Sequence, residues 1–248
     1  MMNLIILAAG TGQRLFPLTK DTPKSLINLG DGTTLLARQI NNAVQSDRIN
    51  RIYIITGYKS HKIEEHIVQY QSRIPIEILF NPYYDISNNL FSLWCAYHIM
   101  EQDDFIISNG DNIYKSHVYP KITDIKKDTI QLTVDRKDHY DHDDMKVTLD
   151  NGRVTRVSKE ILSDSAHAES VGLVLIQGEK NRKLIRNKIL SMVKHKENMQ
   201  KFWLEIFNEL IFDHINIDVC EIGENDWGEI DYHPDIRQIQ QEISKNLF

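Results

Sequence analysis

The chain has 248 residues, of which 41% are hydrophobic, and this is enough to bury one substantial core. Acidic and basic residues are mixed along the chain and sum to a formal charge of −6, which argues against an extended basic face and against nucleic acid as a partner. The two cysteines, Cys95 and Cys220, match neither a metal-binding spacing nor a disulfide framework, so we expect reduced thiols and a cytoplasmic protein.

The first predicted element is a strand from Asn3 to Ala8. The apolar start of the chain is too short to span a bilayer and has no basic leader, so we expect neither a membrane anchor nor a signal peptide. A continuous apolar run that ends in glycine is typical of a strand buried on both faces in a mainly parallel sheet.

Predicted helices and strands then alternate. In chain order they are a helix at Leu35–Val44, a strand at Arg51–Thr56 and a helix at Lys62–Tyr70. A strand at Ile76–Phe80, a helix at Leu90–Met100 and strands at Asp104–Ser108 and Thr129–Val134 come next. This order predicts a Rossmann-like, doubly wound α/β fold with a mostly parallel sheet and helices on both faces. Ligands should bind at the carboxyl edge of that sheet.

An antiparallel hairpin is predicted around Asp150-Asn151-Gly152, because an Asn-Gly pair readily adopts the positive φ angles of a tight turn. The sheet should therefore be mixed. The elements predicted after the hairpin are a strand at Ser170–Ile176, helices at Leu184–Val193 and Phe202–Asp213, a short strand near Val219 and a helix after Pro234. Because no repeat or linker divides the chain, we expect a single domain over residues 1–248, with a nucleotide-binding half at about 1–115 and an acceptor-binding half at about 116–248.

The strongest chemical motif is LAAGTGQRLFPLTKDTPKSL, from Leu7 to Leu26. Glycines allow backbone N–H groups to approach phosphates closely, and Arg14 and Lys24 add the positive charge that a triphosphate requires. The motif lacks the Gly-Lys-Ser/Thr of a Walker loop and the third glycine of a dinucleotide fingerprint. It therefore predicts a triphosphate site of another kind.

Two aspartates are candidate ligands for Mg²⁺. Asp111 ends the apolar segment FIISNGD, and Asp231 lies beside Glu229 in WGEIDYHPD. Magnesium commonly takes one or two protein carboxylates and completes its shell with phosphate oxygens and water. Asp231 has an alternative role, because the helix predicted after Pro234 must also be capped.

The segment RKDHYDHDDM, residues 136–145, places two histidines among acids and superficially resembles a transition-metal site. A solvated loop that folds over the acceptor is the simpler interpretation.

The glycine-rich motif resembles the signature of the nucleotidyltransferase superfamily, which includes sugar-1-phosphate nucleotidylyltransferases. Residues 81–97 and 225–239 are similar to the corresponding segments of phosphocholine cytidylyltransferases and their relatives acting on 2-aminoethylphosphonate or inositol phosphate. Residues 143–161 and 168–173 resemble the phosphonate and inositol-phosphate members. The resemblance implies Mg²⁺-dependent transfer of CMP from CTP to phosphocholine, 2-aminoethylphosphonate or a similar acceptor, with release of pyrophosphate and a CDP-linked product for cell-surface decoration.

The resemblance also implies roles for individual residues. Arg14 and Lys24 would contact the triphosphate, Lys159 would contact the acceptor's phosphate, and Asp111 and Asp231 would hold Mg²⁺. The residues expected at the nucleotide are Leu7, Ala8, Ala9, Gly10, Thr11, Gly12, Arg14, Lys24, Asn81, Ser87, Asn88 and Gly110. The residues expected at the acceptor are Lys159, Glu169, Trp227 and Glu229.

The acceptor itself stays open at the level of sequence. A cationic acceptor favours an aromatic wall, for which the candidates are Trp227, Tyr232, Tyr84 and Trp203. Because Glu169 or Asp144 could hold a primary amine, the aromatic residues do not decide between choline and aminoethyl groups.

Two other functions remain as alternatives. One is a sugar-1-phosphate nucleotidylyltransferase using UTP or dTTP, which would need hydrogen-bonding groups for sugar hydroxyls. The other is a nucleotide-sensing subunit that keeps the fold without turnover. The presence of Arg14, Lys24, Asp111 and Asp231 together favours an enzyme. A homo-oligomer is left open by the sequence.

Overall fold

The computed structural model describes residues 2–124 and 128–245. The strands are β1 Met2–Ala8, β2 Ile49–Thr56, β3 Ile76–Phe80, β4 Phe105–Asn109, β5 Asn112–Tyr114, β6 Ile130–Asp135, β7 Lys146–Asp150, β8 Arg153–Ser158, β9 Ala168–Ile176, β10 Asp218–Ile222 and β11 Trp227–Glu229. The α-helices are α1 Leu35–Gln45, α2 Ser60–Ile67, α3 Asn89–Trp94, α4 Val118–Thr123, α5 Glu179–Met192, α6 Glu205–Phe212 and α7 His233–Ser244. Two short 3-10 helices, Gln13–Leu15 and Lys24–Leu26, follow β1.

Nine strands form one mixed sheet in the order β3-β2-β1-β4-β9-β6-β10-β8-β7. Strands β1 to β4 are parallel, and β9 runs antiparallel to both β4 and β6. Strand β7 pairs with β9 as well as with β8, so this part of the sheet curls back on itself. The expected α/β class and mixed sheet are confirmed.

The carboxyl ends of the parallel strands meet at one edge of the sheet. Leu7 of β1 lies opposite Ile55 of β2 and Asn109 of β4 in the strand register. The loops that follow these strands therefore begin side by side. At the other end of the sheet, β7 and β8 are joined through Asn151 and Gly152, whose φ angles of 49° and 75° are those that an Asn-Gly turn favours.

Alternate residues of β1 face two large hydrophobic clusters on opposite sides of the sheet. Ile5 and Leu7 pack in the cluster to which α3, α5 and α6 contribute, and Leu4 and Ile6 pack in the cluster to which α1, α2 and α4 contribute. This burial on both faces explains why β1 is apolar at successive positions. A smaller cluster joins α7 to Leu15 and to the segment around Leu29.

Helix α3 is shorter than the sequence predicts, because it ends at Trp94 instead of Met100. The backbone beyond it makes bonds to the third preceding residue, as from Ala96 N to Leu93 O and from Ile99 N to Ala96 O. These residues form turns while their apolar side chains stay buried. Helix α4 and the strands β5 and β11 are additional elements that the sequence pattern did not predict.

Both halves of the chain contribute to the same sheet, since β4 pairs with β9 across the expected boundary near residue 115. We keep the single-domain interpretation as a proposal; residues 1, 125–127 and 246–248 of that range lie outside the described residues. Cys95 is half-buried and Cys220 is buried, and neither forms a disulfide. Across the described ranges, every helix is too short or too polar to cross a membrane.

Candidate active site

A cleft of about 990 Å³ opens at the carboxyl edge of the sheet. Its lining includes every residue that the sequence predicted for the nucleotide, the metal and the acceptor, except Asn81. Asn81 is buried, and its side chain donates to Ser92 Oγ and accepts from the Tyr83 backbone N–H. Its amide thus holds the chain after β3, while Ser87 and Asn88 reach the cleft.

The loop after β1 presents backbone to the cleft at Gly10 and Gly12. Gly12 has a φ of 64°, in the left-handed region, and a Cβ there would lie 3.1 Å from Lys24 Cβ. A Cβ at Gly10 would meet nothing within 4 Å, so no neighbouring atom requires glycine at that position. The space beside Gly10 is open for a ligand to approach the backbone.

Gly110 sets the position of Asp111 against β1. A Cβ at Gly110 would lie 2.2 Å from the carbonyl oxygen of Leu7, which no side chain could tolerate without movement of the backbone. The close approach therefore requires glycine, and it brings the Asp111 carboxylate beside the loop that follows β1.

The pairing of β5 with β11 brings the remaining carboxylates to Asp111. Glu229 lies opposite Asn112 in this pair, and Ile230 N donates to Asp111 O at 3.0 Å. One carboxylate oxygen each of Asp111, Glu229 and Asp231 lies within 4.8 Å of the other two. Magnesium takes one or two carboxylates and completes its shell with phosphate oxygens and water, so Asp111 and Asp231 fit the expected metal.

Two basic side chains contact these carboxylates. Lys24 Nζ lies 2.8 Å from Asp111 Oδ2 and 2.7 Å from Asp231 Oδ1, and Arg14 Nη1 lies 2.7 Å from Asp231 Oδ2. Burial acts to lower the pKa of Lys24, but the two aspartates more than offset this effect and the net pKa is raised. Lys24 therefore carries a full positive charge between the two predicted metal ligands.

The pKa values of Glu229 and Asp231 shift in opposite directions because the environments of the two carboxylates differ. Burial, followed by the charges of Asp111 and Asp231, raises the pKa of Glu229 well above its ordinary value. Burial also acts to raise the pKa of Asp231, but Lys24 and Arg14 outweigh it and the net pKa is lowered. Asp231 is thus held as an anion, whereas burial disfavours the charged form of Glu229.

Asp231 does not serve as the cap of α7. The carboxylate of Asp235 accepts from the backbone N–H groups of Asp231 and Tyr232 at 2.7 and 2.6 Å. The side chain of Asp231 is therefore directed to Lys24 and Arg14, and its backbone is fixed by the residue that caps the helix.

The aromatic candidates have different surroundings. Trp203 is 1% exposed and donates from Nε1 to Asn109 Oδ1, so it is mainly a core residue. Tyr232 is exposed and donates to Asp143 Oδ2 at 2.6 Å. Tyr84 lines the cleft. Lys159, the lysine expected at the acceptor's phosphate, also lines the cleft, and its Nζ lies 5.3 Å from the ring centroid of Phe202.

Lys137 is a cleft residue that the sequence analysis missed. Its ammonium contacts Glu169 in a close ion pair and lies 5.7 Å from the ring centroid of Trp227. Lys137 is two residues beyond the end of β6, and strand ends at the carboxyl edge are where ligand-binding residues are expected. The position of Lys137 just after a predicted strand is the feature of the sequence that could have identified it.

The loop of residues 136–145 borders the cleft and is held by Lys146. This buried lysine donates to the backbone carbonyls of Asp141, His142 and Asp144 at 2.8, 3.3 and 3.2 Å. The His142 side chain is 91% exposed. Within the described residues, the group of side chains that could hold a metal consists of Asp111, Glu229 and Asp231 and includes neither histidine of the loop.

Two relatives align over nearly the whole chain. A CTP:phosphoglutamine cytidylyltransferase of Campylobacter jejuni subsp. jejuni serotype O:2 is 29% identical over 259 aligned residues, covering 95% of this chain and 98% of the relative. A 2-aminoethylphosphonate cytidylyltransferase of Lancefieldella rimae is 27% identical over 232 residues, covering 92% of this chain and 88% of the relative.

The inositol-1-phosphate CTP transferase from T. maritima has the same fold, with a TM-score of 0.80 at 18% identity over 99% of this chain and 97% of that one. The family model described as nucleotidyl transferase matches residues 3–157, which include the glycine loop, Lys24 and Asp111. The chain belongs to the nucleotidyl transferase family.

Proposed function

We propose that this protein transfers CMP from CTP to a small phosphorylated or phosphonate acceptor, releasing pyrophosphate and a CDP-linked product, with Mg²⁺ as cofactor. The proposal rests on one observation above all: Lys24 lies between Asp111 and Asp231 directly beside a glycine loop with open space at its backbone. Groups suited to a cation and groups suited to phosphate thus share one edge of the cleft.

The choice of CTP is supported by the two full-length relatives, both of which are named as cytidylyltransferases. Their named acceptors, phosphoglutamine and 2-aminoethylphosphonate, are small molecules with a polar group in addition to the phosphorus. The resemblance noted in the sequence adds phosphocholine to these acceptors, and it is the support for cell-surface decoration as the use of the product.

The reaction needs no activated side-chain nucleophile. A phosphate monoester is largely dianionic at neutral pH, so one of its oxygens can attack the α-phosphorus of CTP. A bond forms between that oxygen and the α-phosphorus, and the bond from the α-phosphorus to the bridging oxygen breaks. Pyrophosphate leaves with the electron pair of that bond.

The main catalytic task is to position two polyanions and to stabilise the charge of the transition state. We assign this task to Arg14 and Lys24 at the triphosphate and to Lys159 at the acceptor's phosphate. Asp111 and Asp231, with Glu229 beside them, would hold Mg²⁺. When bound, the metal neutralises phosphate charge during the displacement.

The test is pyrophosphate release from CTP, UTP, ATP, GTP and dTTP with each of several acceptors, with and without Mg²⁺. The acceptors are phosphoglutamine, 2-aminoethylphosphonate, phosphocholine, inositol 1-phosphate and glucose 1-phosphate. We expect activity that requires Mg²⁺, CTP and a small acceptor other than a sugar phosphate.

Activity confined to glucose 1-phosphate with UTP or dTTP would replace the proposal with a sugar-1-phosphate nucleotidylyltransferase. CTP binding in calorimetry without turnover on any acceptor would favour a nucleotide-sensing subunit instead.

A further inference from the structure

The ammonium of Lys137 lies in a small polar and aromatic cage formed by Glu169, Asp144 and Trp227. It makes a close ion pair with Glu169 Oε2, lies 3.5 Å from Asp144 Oδ2, and lies 5.7 Å from the centroid of the Trp227 ring. Carboxylates combined with an aromatic face are the groups that bind an alkylammonium ligand. The chain's own side chain therefore occupies the kind of site that a choline or aminoethyl group would need.

The walls of this cage are fixed by their own contacts. Trp227 is 8% exposed, and its Nε1 donates to Asp135 Oδ2 at 2.9 Å. Asp135 of β6 lies opposite Glu169 of β9 in the sheet, and Glu169 is 3% exposed. Widening the cage to admit a second cation would disrupt these buried contacts.

Displacing Lys137 would also be costly. The buried carboxylate of Glu169 would lose the ammonium that it contacts, and an unpaired buried charge is unfavourable. A quaternary ammonium could replace the charge, but it has no N–H to donate to Glu169. A phosphocholine acceptor therefore fits this cage poorly.

The Lys137 side chain is 35% exposed and lines the cleft, so its ammonium can be reached by a ligand. The ammonium has three hydrogen-bond donors, and its ion-pair partners among the described residues are Glu169, in close contact, and Asp144, at 3.5 Å. Two carboxylates therefore leave one of the three N–H groups for a ligand in the cleft.

We infer that Lys137 binds a carboxylate carried by the acceptor, and that the preferred acceptor is a phosphorylated or phosphonate carboxylic acid. Lys137 is then a specificity residue that favours such acids and disfavours phosphocholine. This inference rests on the proposed function and names the class of its acceptor.

Phosphoserine and phosphoethanolamine form a matched pair for the test, because they differ by one carboxylate. Phosphocholine is phosphoethanolamine with three N-methyl groups. With CTP and Mg²⁺, we expect kcat/KM of the unmodified protein to be at least about tenfold higher for phosphoserine than for phosphoethanolamine, and lowest for phosphocholine.

Variants then assign the preference to Lys137. Lys137→Gln should abolish the preference for phosphoserine and raise the relative kcat/KM for phosphocholine, while Lys137→Arg should keep the preference because it keeps the charge. Lys183→Gln is the control, since Lys183 pairs with Glu179 on the surface of α5 and should leave all ratios unchanged.

Equal kcat/KM values for phosphoserine and phosphoethanolamine, or the highest value for phosphocholine, would overturn the inference. These ratios are measured on the unmodified protein, so they decide the matter even when Lys137→Gln fails to fold. A protein that uses CTP but does not prefer acceptors with a carboxylate would refute the inference alone. A protein that neither binds CTP nor releases pyrophosphate with any acceptor would refute the proposed function.

Discussion

Lys24 and Arg14 contact the same carboxylates that we propose as metal ligands. Lys24 bridges Asp111 and Asp231, and Arg14 reaches the second oxygen of Asp231. A positive charge between these carboxylates offsets their repulsion, and either an ammonium or a divalent cation can supply it. We therefore expect the two basic side chains to move toward the triphosphate when Mg²⁺ and nucleotide bind together.

Lys24→Ala tests this exchange. We expect kcat/KM to fall by about 10² to 10³ or more, because a charge that acts on the transition state is lost. In buffer without Mg²⁺ the variant should have a lower Tm than the unmodified protein, since Asp111 and Asp231 lose their shared partner. Adding Mg²⁺ should raise the Tm of the variant more than that of the unmodified protein.

The matched control is Lys20→Ala, four residues earlier in the same segment, where the side chain is exposed. It should change neither turnover nor the response of the Tm to Mg²⁺. If Lys24→Ala kept full activity, the assignment of Lys24 to the triphosphate would be wrong.

Substitution by alanine should lower the stability of the fold at Gly110, whereas at Gly10 it should weaken CTP binding. A Cβ at Gly110 would overlap the Leu7 carbonyl, so Gly110→Ala should lower the free energy of unfolding by about 1 to 3 kcal/mol or more. A Cβ at Gly10 meets no atom within 4 Å, so Gly10→Ala should leave unfolding in urea nearly unchanged while weakening CTP binding.

Urea unfolding and calorimetric CTP titration on both variants give the comparison. Unchanged CTP affinity in Gly10→Ala would mean that the nucleotide does not approach the backbone at this glycine.

Gly10, Lys24 and Asp111, which line the cleft, were predictable from a local motif. Lys137 and Asn81 were not, because their roles depend on contacts made across the fold. Lys137 meets Glu169 only after β6 and β9 pair, and Asn81 is turned inward by its hydrogen bond to Ser92. No sequence pattern around Lys137 or Asn81 indicates these contacts with Glu169 and Ser92.

Several elements with strong periodicity or continuous apolar character were predicted close to their observed bounds, although the helix predicted at Leu90–Met100 ends at Trp94. The strand at Ile76–Phe80 agrees with β3, and the helix predicted at Leu35–Val44 lies within α1. The three-residue strands β5 and β11 were missed because each is too short to have a period. These two strands nevertheless align Asp111 with Glu229 and Asp231.

The start of α7 is coupled to the carboxylate group through Asp235. Asp235→Ala should lower the free energy of unfolding by about 1 kcal/mol, because a residue that satisfies two N–H groups at a helix start is lost. The variant should also need more Mg²⁺ for half-maximal activity, because the backbone of Asp231 loses its acceptor.

Asp235→Asn keeps a side-chain acceptor and should give a smaller change in both measurements. Urea unfolding and a Mg²⁺ titration of pyrophosphate release provide the two readouts. A Mg²⁺ requirement in Asp235→Ala equal to that of the unmodified protein would show that the helix cap does not position Asp231.

At the scale of the whole molecule, one sheet joins the two groups of residues that the chemistry requires. The glycine loop follows β1, Asp111 follows β4, and Glu169 lies in β9, which pairs with β4. The proposed acceptor residues are therefore connected to the nucleotide residues through paired strands. This arrangement supports the single-domain proposal.

The ion pair between buried Glu169 and Lys137 should also affect the stability of the whole fold as pH changes. Burial raises the pKa of Glu169 to about 7 in the folded protein, with Lys137 acting to lower it and Asp144 to raise it, against 4.5 for the ordinary side chain. The folded state therefore holds this proton more tightly than the unfolded state does. Its stabilising contribution is complete below pH 4.5 and is lost as pH rises to about 7.

The difference between a pKa of about 7 and one of 4.5 corresponds to about 3 kcal/mol in the free energy of unfolding. Glu169→Gln cannot ionise, so it should lack this loss. Urea unfolding of both proteins from pH 5 to pH 8 should show the unmodified protein losing stability relative to Glu169→Gln up to about pH 7, with a constant difference above it. Parallel curves across this range would mean that Glu169 is already ionised at pH 5, with Lys137 compensating its charge fully, and the ammonium would then have less charge to offer an acceptor carboxylate.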